Sequence, residues 1–79
     1  MTAERPKPAD LIEFIAKVIT SHPDDVVVNV RDGGRLLELE TAPDDRGRVI
    51  GRQGRVAKAM RAVLGASRHG ENCRLDIVD

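Results

Sequence analysis

Two glycines three residues apart, Gly51 and Gly54, stand between an apolar pair, Val49-Ile50, and a helix-like pattern from Val56 to Leu64. This stretch constrains the fold more than any other. Glycine has no Cβ, so a turn built on it admits positive φ and lets another backbone come close. The helix beyond it opens with unpaired N–H groups and the positive end of its dipole. A Gly-x-x-Gly turn at a helix start therefore suits a phosphate, and the basic residues Arg48, Arg52, Arg55 and Lys58 suit one better still.

The formal net charge of zero conceals a division. Between Arg46 and Gly70 lie seven basic residues (Arg46, Arg48, Arg52, Arg55, Lys58, Arg61 and Arg68) and no acidic one, while all thirteen acidic residues lie elsewhere. A solvated helix usually mixes signs for i,i+4 support, so this one-sided layout marks a face built for an anion. At 79 residues, 41% of them apolar and 33% charged, the chain reads as one small globular domain. No apolar run approaches the roughly 18 residues that cross a membrane, and a signal peptide's apolar core is absent. The single Cys73 fits a reducing compartment. The expectation is a cytoplasmic protein without a membrane partner.

Residues 1–8 hold Pro6 and Pro8 among charges and read as a flexible N-terminus, leaving 9–79 as a single domain. Ala9-Asp10 opens a helix whose apolar face carries Leu11, Ile12, Ile15, Ala16, Val18 and Ile19, with Phe14 at its edge. Ser21-His22-Pro23 ends it; His22 reads as a surface histidine beside that stop. Val26 to Arg31 and Leu36 to Thr41 alternate as strands around the turn Asp32-Gly33-Gly34. Ala42-Pro43-Asp44-Asp45 reads as a loop, followed by a short helical turn through Arg48-Val49-Ile50. The second long helix is expected to bury Val56, Ala59, Met60 and Val63. Ser67-Arg68-His69-Gly70 leads to a last strand with Cys73, Leu75 and Ile77 on its core face. The predicted class is α+β, a two-layer fold in the order α-β-β-α-α-β with helices on one face of a three-stranded mixed sheet.

A lone Gly-x-x-Gly is a weak signal, and two stronger glycine motifs fail. The dinucleotide fingerprint needs G-x-G-x-x-G, and a phosphate-binding loop of the Walker type needs Gly-Lys-Ser/Thr; here Gly54 is followed by Arg55-Val56. With Val49-Ile50-Gly51-Arg52-Gln53-Gly54 between an upstream hairpin and a downstream helix, the chain instead resembles a KH domain of the type II arrangement. The turn Asp32-Gly33-Gly34 and the run Gly47 to Arg55 are most similar to the small bacterial single-KH proteins of the KhpA family, over roughly residues 9–78. Arg46 departs from the apolar residue expected at its place. The resemblance implies a cytoplasmic RNA-binding protein acting as a homodimer or with a larger KH-containing partner, KhpB. Its loop would clamp the backbone of about four nucleotides.

A residue-level mechanism accompanies that resemblance. Cations at a helix N-terminus are disfavoured by ~0.3–1 kcal/mol each, and a bound phosphate would reverse the sign. Gly51 and Gly54 would let the sugar-phosphate backbone touch the turn, with Arg52 and Gln53 extended toward it and Arg48 nearby. Arg55 and Lys58 would hold the following phosphates. Val49 and Ile50 would floor an apolar groove under unstacked bases, or else serve as plain core. Phe14, the one aromatic residue, offers no stacking platform of the RRM kind.

An enzyme is disfavoured. Cys73, His22 and His69 have no catalytic companions in sequence, Asp24-Asp25 and Asp44-Asp45 read as caps and turns, and no His/Cys spacing suggests zinc. No cofactor is implied. The alternative is an interaction scaffold with weak or no RNA binding, in which Ala59, Ala62 and Ala66 permit close helix contact and Met60 serves core or interface.

Overall fold

The structure, a computed structural model, describes residues 7–67 and 72–78. The expectations for residues 1–6 and for Arg68, His69 and Gly70 lie outside the described residues.

The first helix, α1 (Lys7–Ile19), starts earlier than the sequence pattern suggests. Pro8 sits in its first turn, where the missing N–H is not needed, and is buried there with Ala9, Ile12 and Ala16. Lys7 and Pro8, assigned above to a flexible N-terminus, therefore belong to the helix. Ile15 and Ile19 pack against the core from its edge, whereas Phe14 and Val18 are two-thirds exposed.

Strand β1 (Val27–Arg31) pairs antiparallel with β2 (Leu36–Glu40), Val28 opposite Leu39 and Val30 opposite Leu37. Asp32, Gly33 and Gly34 all take positive φ between them, and the Arg35 N–H donates to Asp32 O at 3.2 Å. After helices α2 (Pro43–Ile50) and α3 (Arg55–Ala66), β3 (Arg74–Ile77) returns parallel to β2, so the sheet order is β1-β2-β3. The element order and the mixed sheet are those of the expected α+β KH arrangement.

Alternation decides which face of the sheet is dry. Val28, Leu37, Leu39 and Leu75 point to the helices and meet Ile12, Ala16, Val49, Met60 and Leu64 in one buried cluster. Each such aliphatic side chain contributes roughly 1.5–3 kcal/mol when fully withdrawn from water. The other face is wet and carries diagonal polar pairs: Asn29 donates to Glu40, and Arg31 Nε to Glu38 Oε1 at 3.0 Å.

Three local expectations change. Residues Pro43–Asp45 are not a loop but the first turn of α2, with the proline at its start and two carboxylates beside the positive end of its dipole. On α3 the buried stripe is Ala57, Met60 and Leu64, with Val56 half-buried; Ala59 and Val63 are exposed. Cys73 precedes β3 and is half-buried, its Sγ donating to Gly34 O at 3.2 Å.

Candidate functional site

The turn joining α2 to α3 is defined by its backbone. The Gly51 N–H closes α2 by donating to Gly47 O at 2.8 Å, and the Gly54 N–H donates back to Gly51 O at 3.0 Å. The two glycines are required for different reasons. At Gly51, φ is +79°, and a Cβ would lie 2.5 Å from Val56 Cγ2 and 2.8 Å from the Val56 nitrogen. No side chain fits. At Gly54, φ is +75° with open space around it, so only the conformation asks for glycine. Between them Gln53 is held at φ 58°, a region that non-glycine residues enter at a cost of order 1–3 kcal/mol and that concentrates at functional turns. Arg52 and Gln53 are exposed at its tip.

The start of α3 is electrostatically unlike the other two helix starts. Asp10 lies in the first turn of α1, and Asp44 and Asp45 in that of α2. The first turn of α3 has no acidic residue; Arg55 opens it and Arg52 stands three residues before. Arg55 Nη2 leans on Gln53 Oε1 at 3.4 Å. Arg52 and Lys58 are both exposed and enter no ion pair among the described residues. The site thus gathers Gly51, Arg52, Gln53, Gly54, Arg55 and Lys58 at one helix end.

Three other expected site residues are placed differently from one another. Ile50 is 37% exposed beside the turn. Val49 has no exposed surface and belongs to the core. The expectation that it lines a groove is corrected in favour of plain core, because α2 turns it inward as an apolar anchor. Arg48 is exposed, but its Nη1 donates to Ser21 Oγ at 2.9 Å, just past the end of α1.

Sequence reasoning missed Asp45 as a buried group. Its side chain is only 1% exposed, with Oδ1 accepting the Ser21 N–H and Oδ2 the His22 N–H, each at 2.9 Å. The Ser21 bond is the main cause of a carboxyl held below its usual range; burial opposes this, and the His22 bond and the charges of His22 and Arg48 reinforce it. Its partners lie more than twenty residues away, so nothing near Asp45 in sequence announces them. Arg61 was also outside the expected site. Its Nε donates to Leu75 O at 3.1 Å, beside a recess of about 440 Å³ that Cys73, Arg74 and Asp76 also line.

Residues 9–77, from the first turn of α1 to the end of β3, match the family described as KhpA/KhpB, KH domain. The chain belongs to the KhpA/KhpB KH-domain family. Among KhpA relatives, the RNA-binding protein KhpA of Halalkalibacterium halodurans is 48% identical over 73 residues, covering 87% of this chain and 96% of the relative. The protein of the same name from Streptomyces coelicolor is 47% identical over 72 residues, 89% of this chain and 90% of its own. That from Treponema pallidum is 39% identical over 74 residues, 89% and 92% respectively. No solved structure matches the chain. The KhpA family is named for RNA binding and is not a family of enzymes. Among the described residues no helix is long and apolar enough to cross a membrane.

Proposed function

We propose that this KH domain binds single-stranded RNA by clamping the backbone of about four nucleotides against the Gly51–Gly54 turn. The observation that carries this reading is the start of α3: alone among the three α-helices of the described residues it opens with an arginine and without a carboxylate, directly beyond a turn that admits no side chain at Gly51. A phosphate there meets the positive helix end and two guanidinium groups. Arg52 and Gln53 reach the first phosphate, Arg55 and Lys58 those that follow, and Arg48 flanks the approach. Ile50 supplies apolar surface for an unstacked base. The names of these RNA-binding relatives support RNA as the ligand class.

With two or three phosphates neutralised, one such groove is weak, and pairing two of them raises avidity without new chemistry. The outward side of α3 supports pairing: Ala59, Ala62, Val63 and Ala66 repeat at three and four and are all exposed. Small residues there let a second helix come close. We read the protein as a homodimer, or a heterodimer with a larger KH-containing partner of the KhpB kind, acting in post-transcriptional regulation in the cytoplasm. The same apolar strip favours a second reading, a scaffold that pairs with proteins and binds RNA weakly or not at all.

Titration of a short labelled single-stranded RNA into the wild type and Arg52→Asp/Gln53→Asp separates the two. Both substitutions lie at an exposed tip, so melting stays near native. The clamp predicts loss of binding in the variant. Equal affinity in both proteins, or none in either, rejects the clamp and leaves the scaffold.

A further inference from the structure

The short helix that delivers the chain to the turn has little apolar hold on the rest of the molecule. Of the eight residues of α2 only Asp45 and Val49 are buried, and Gly47 in its middle weakens a helix relative to alanine. Beside the single apolar anchor Val49, polar contacts hold α2 to the end of α1. Asp45 and Arg48, three apart and so on one face, both grip Ser21 just beyond α1. Asp45 Oδ1 takes the Ser21 N–H, Oδ2 takes the His22 N–H, and Arg48 Nη1 donates to Ser21 Oγ, all at 2.9 Å. The backbone and the hydroxyl of one residue are thus held by successive turns of the same helix.

We infer that Ser21 and Asp45 are positioning residues for the clamp: Asp45 locks the end of α1 to α2, and the Ser21 hydroxyl aims Arg48. This rests on the phosphate-clamp reading above. An arginine side chain loses much rotamer freedom when it is held, and a guanidinium has five N–H donors. One donor spent on Ser21 Oγ holds the group in place before RNA arrives, and the other four stay available to a phosphate. Arg48 lies in the last turn of α2, three residues before the Gly51 N–H that closes the helix, so an aimed Arg48 and a fixed turn are parts of one arrangement. A bound strand then meets an ordered cation at lower entropic cost.

The test uses the full chain and a labelled single-stranded RNA of mixed sequence. Ser21→Ala keeps the backbone N–H that Asp45 binds and removes only the acceptor for Arg48. It is expected to melt like the wild type and to bind RNA roughly three- to tenfold more weakly. Ser21→Thr, which keeps a hydroxyl, restores affinity. In an Arg48→Ala background, Ser21→Ala changes nothing further. For Asp45→Asn, which could lose the fold, amide hydrogen exchange is the second readout: faster exchange at Gly51 and Gly54 is expected while the core strands stay protected. Arg52→Asp/Gln53→Asp runs alongside. If that variant loses RNA but Ser21→Ala binds like the wild type, the positioning role is overturned and the clamp stands. An equal loss from Ser21→Ala with and without Arg48 also overturns it. If Arg52→Asp/Gln53→Asp binds normally, the clamp itself has failed and the inference falls with it.

Discussion

The two glycines of the turn look equivalent in sequence and differ in their surroundings. A methyl group at Gly51 drives into Val56 and is also strained by the positive φ, whereas at Gly54 only the conformation is unfavourable. Gly51→Ala should therefore destabilise by about 2–5 kcal/mol, summing strain and overpacking, and Gly54→Ala by about 1–2 kcal/mol. Urea unfolding of both variants checks the order, and equal midpoints would contradict it. Asp45 carries a pH dependence. Its folded-state carboxyl titrates below the ordinary carboxylate value, chiefly because of the Ser21 N–H, with His22, Asp44 and Arg48 as the charged groups nearby. Its stabilisation is thus complete above about pH 4 and is lost as the pH falls through the lowered value. Asp45→Asn should unfold at lower urea than the wild type at pH 7, with the gap narrowing as the pH falls below about 4. A gap independent of pH would show that the carboxylate's charge is not what holds Ser21 and His22.

At the scale of elements, much was legible and the failures have identifiable causes. Valine-rich alternation around Asp32-Gly33-Gly34 specified the hairpin, and Pro23 specified the end of α1. The side of α3 that packs was misread because the helix is apolar on more than one side. Met60 belongs to either stripe, Val56-Met60-Val63 or Ala57-Met60-Leu64, and periodicity cannot choose between them. Packing chooses the one that places the bulk of Leu64 in the core, leaving Val63 44% exposed. Met60, 2% exposed, is accordingly core and not interface. Met60→Ala should cost about 2–5 kcal/mol, and Val63→Ala within about 0.5 kcal/mol of zero in a monomer. Thermal melts at low protein concentration measure both, and a larger loss at Val63 would contradict the assigned face. The start of α2 was hidden by two aspartates that look like loop caps, although proline before acidic residues is also how a helix begins. Of the site, the turn and its cations were readable because they are contiguous. The Ser21–Asp45–Arg48 contact was not, since it exists only once α1 and α2 meet.

For the whole molecule, the division of charge and the strip on α3 set the expectations. Val63→Asp should shift a dimer toward monomer in light scattering while leaving the melting of the monomer near native. It should also weaken RNA binding through lost avidity without changing how salt acts on each site. Unchanged mass in that variant would move the pairing surface elsewhere. The central claim, that Arg52 at the Gly51–Gly54 turn neutralises an RNA phosphate, is tested most directly by salt. Each neutralised phosphate on a single strand adds a slope of about −0.7 to log K against log salt. The wild type should give roughly −1.4 to −2 per site, for two or three contacts, and Arg52→Gln a slope shallower by about 0.7. Identical slopes for the two proteins would contradict it.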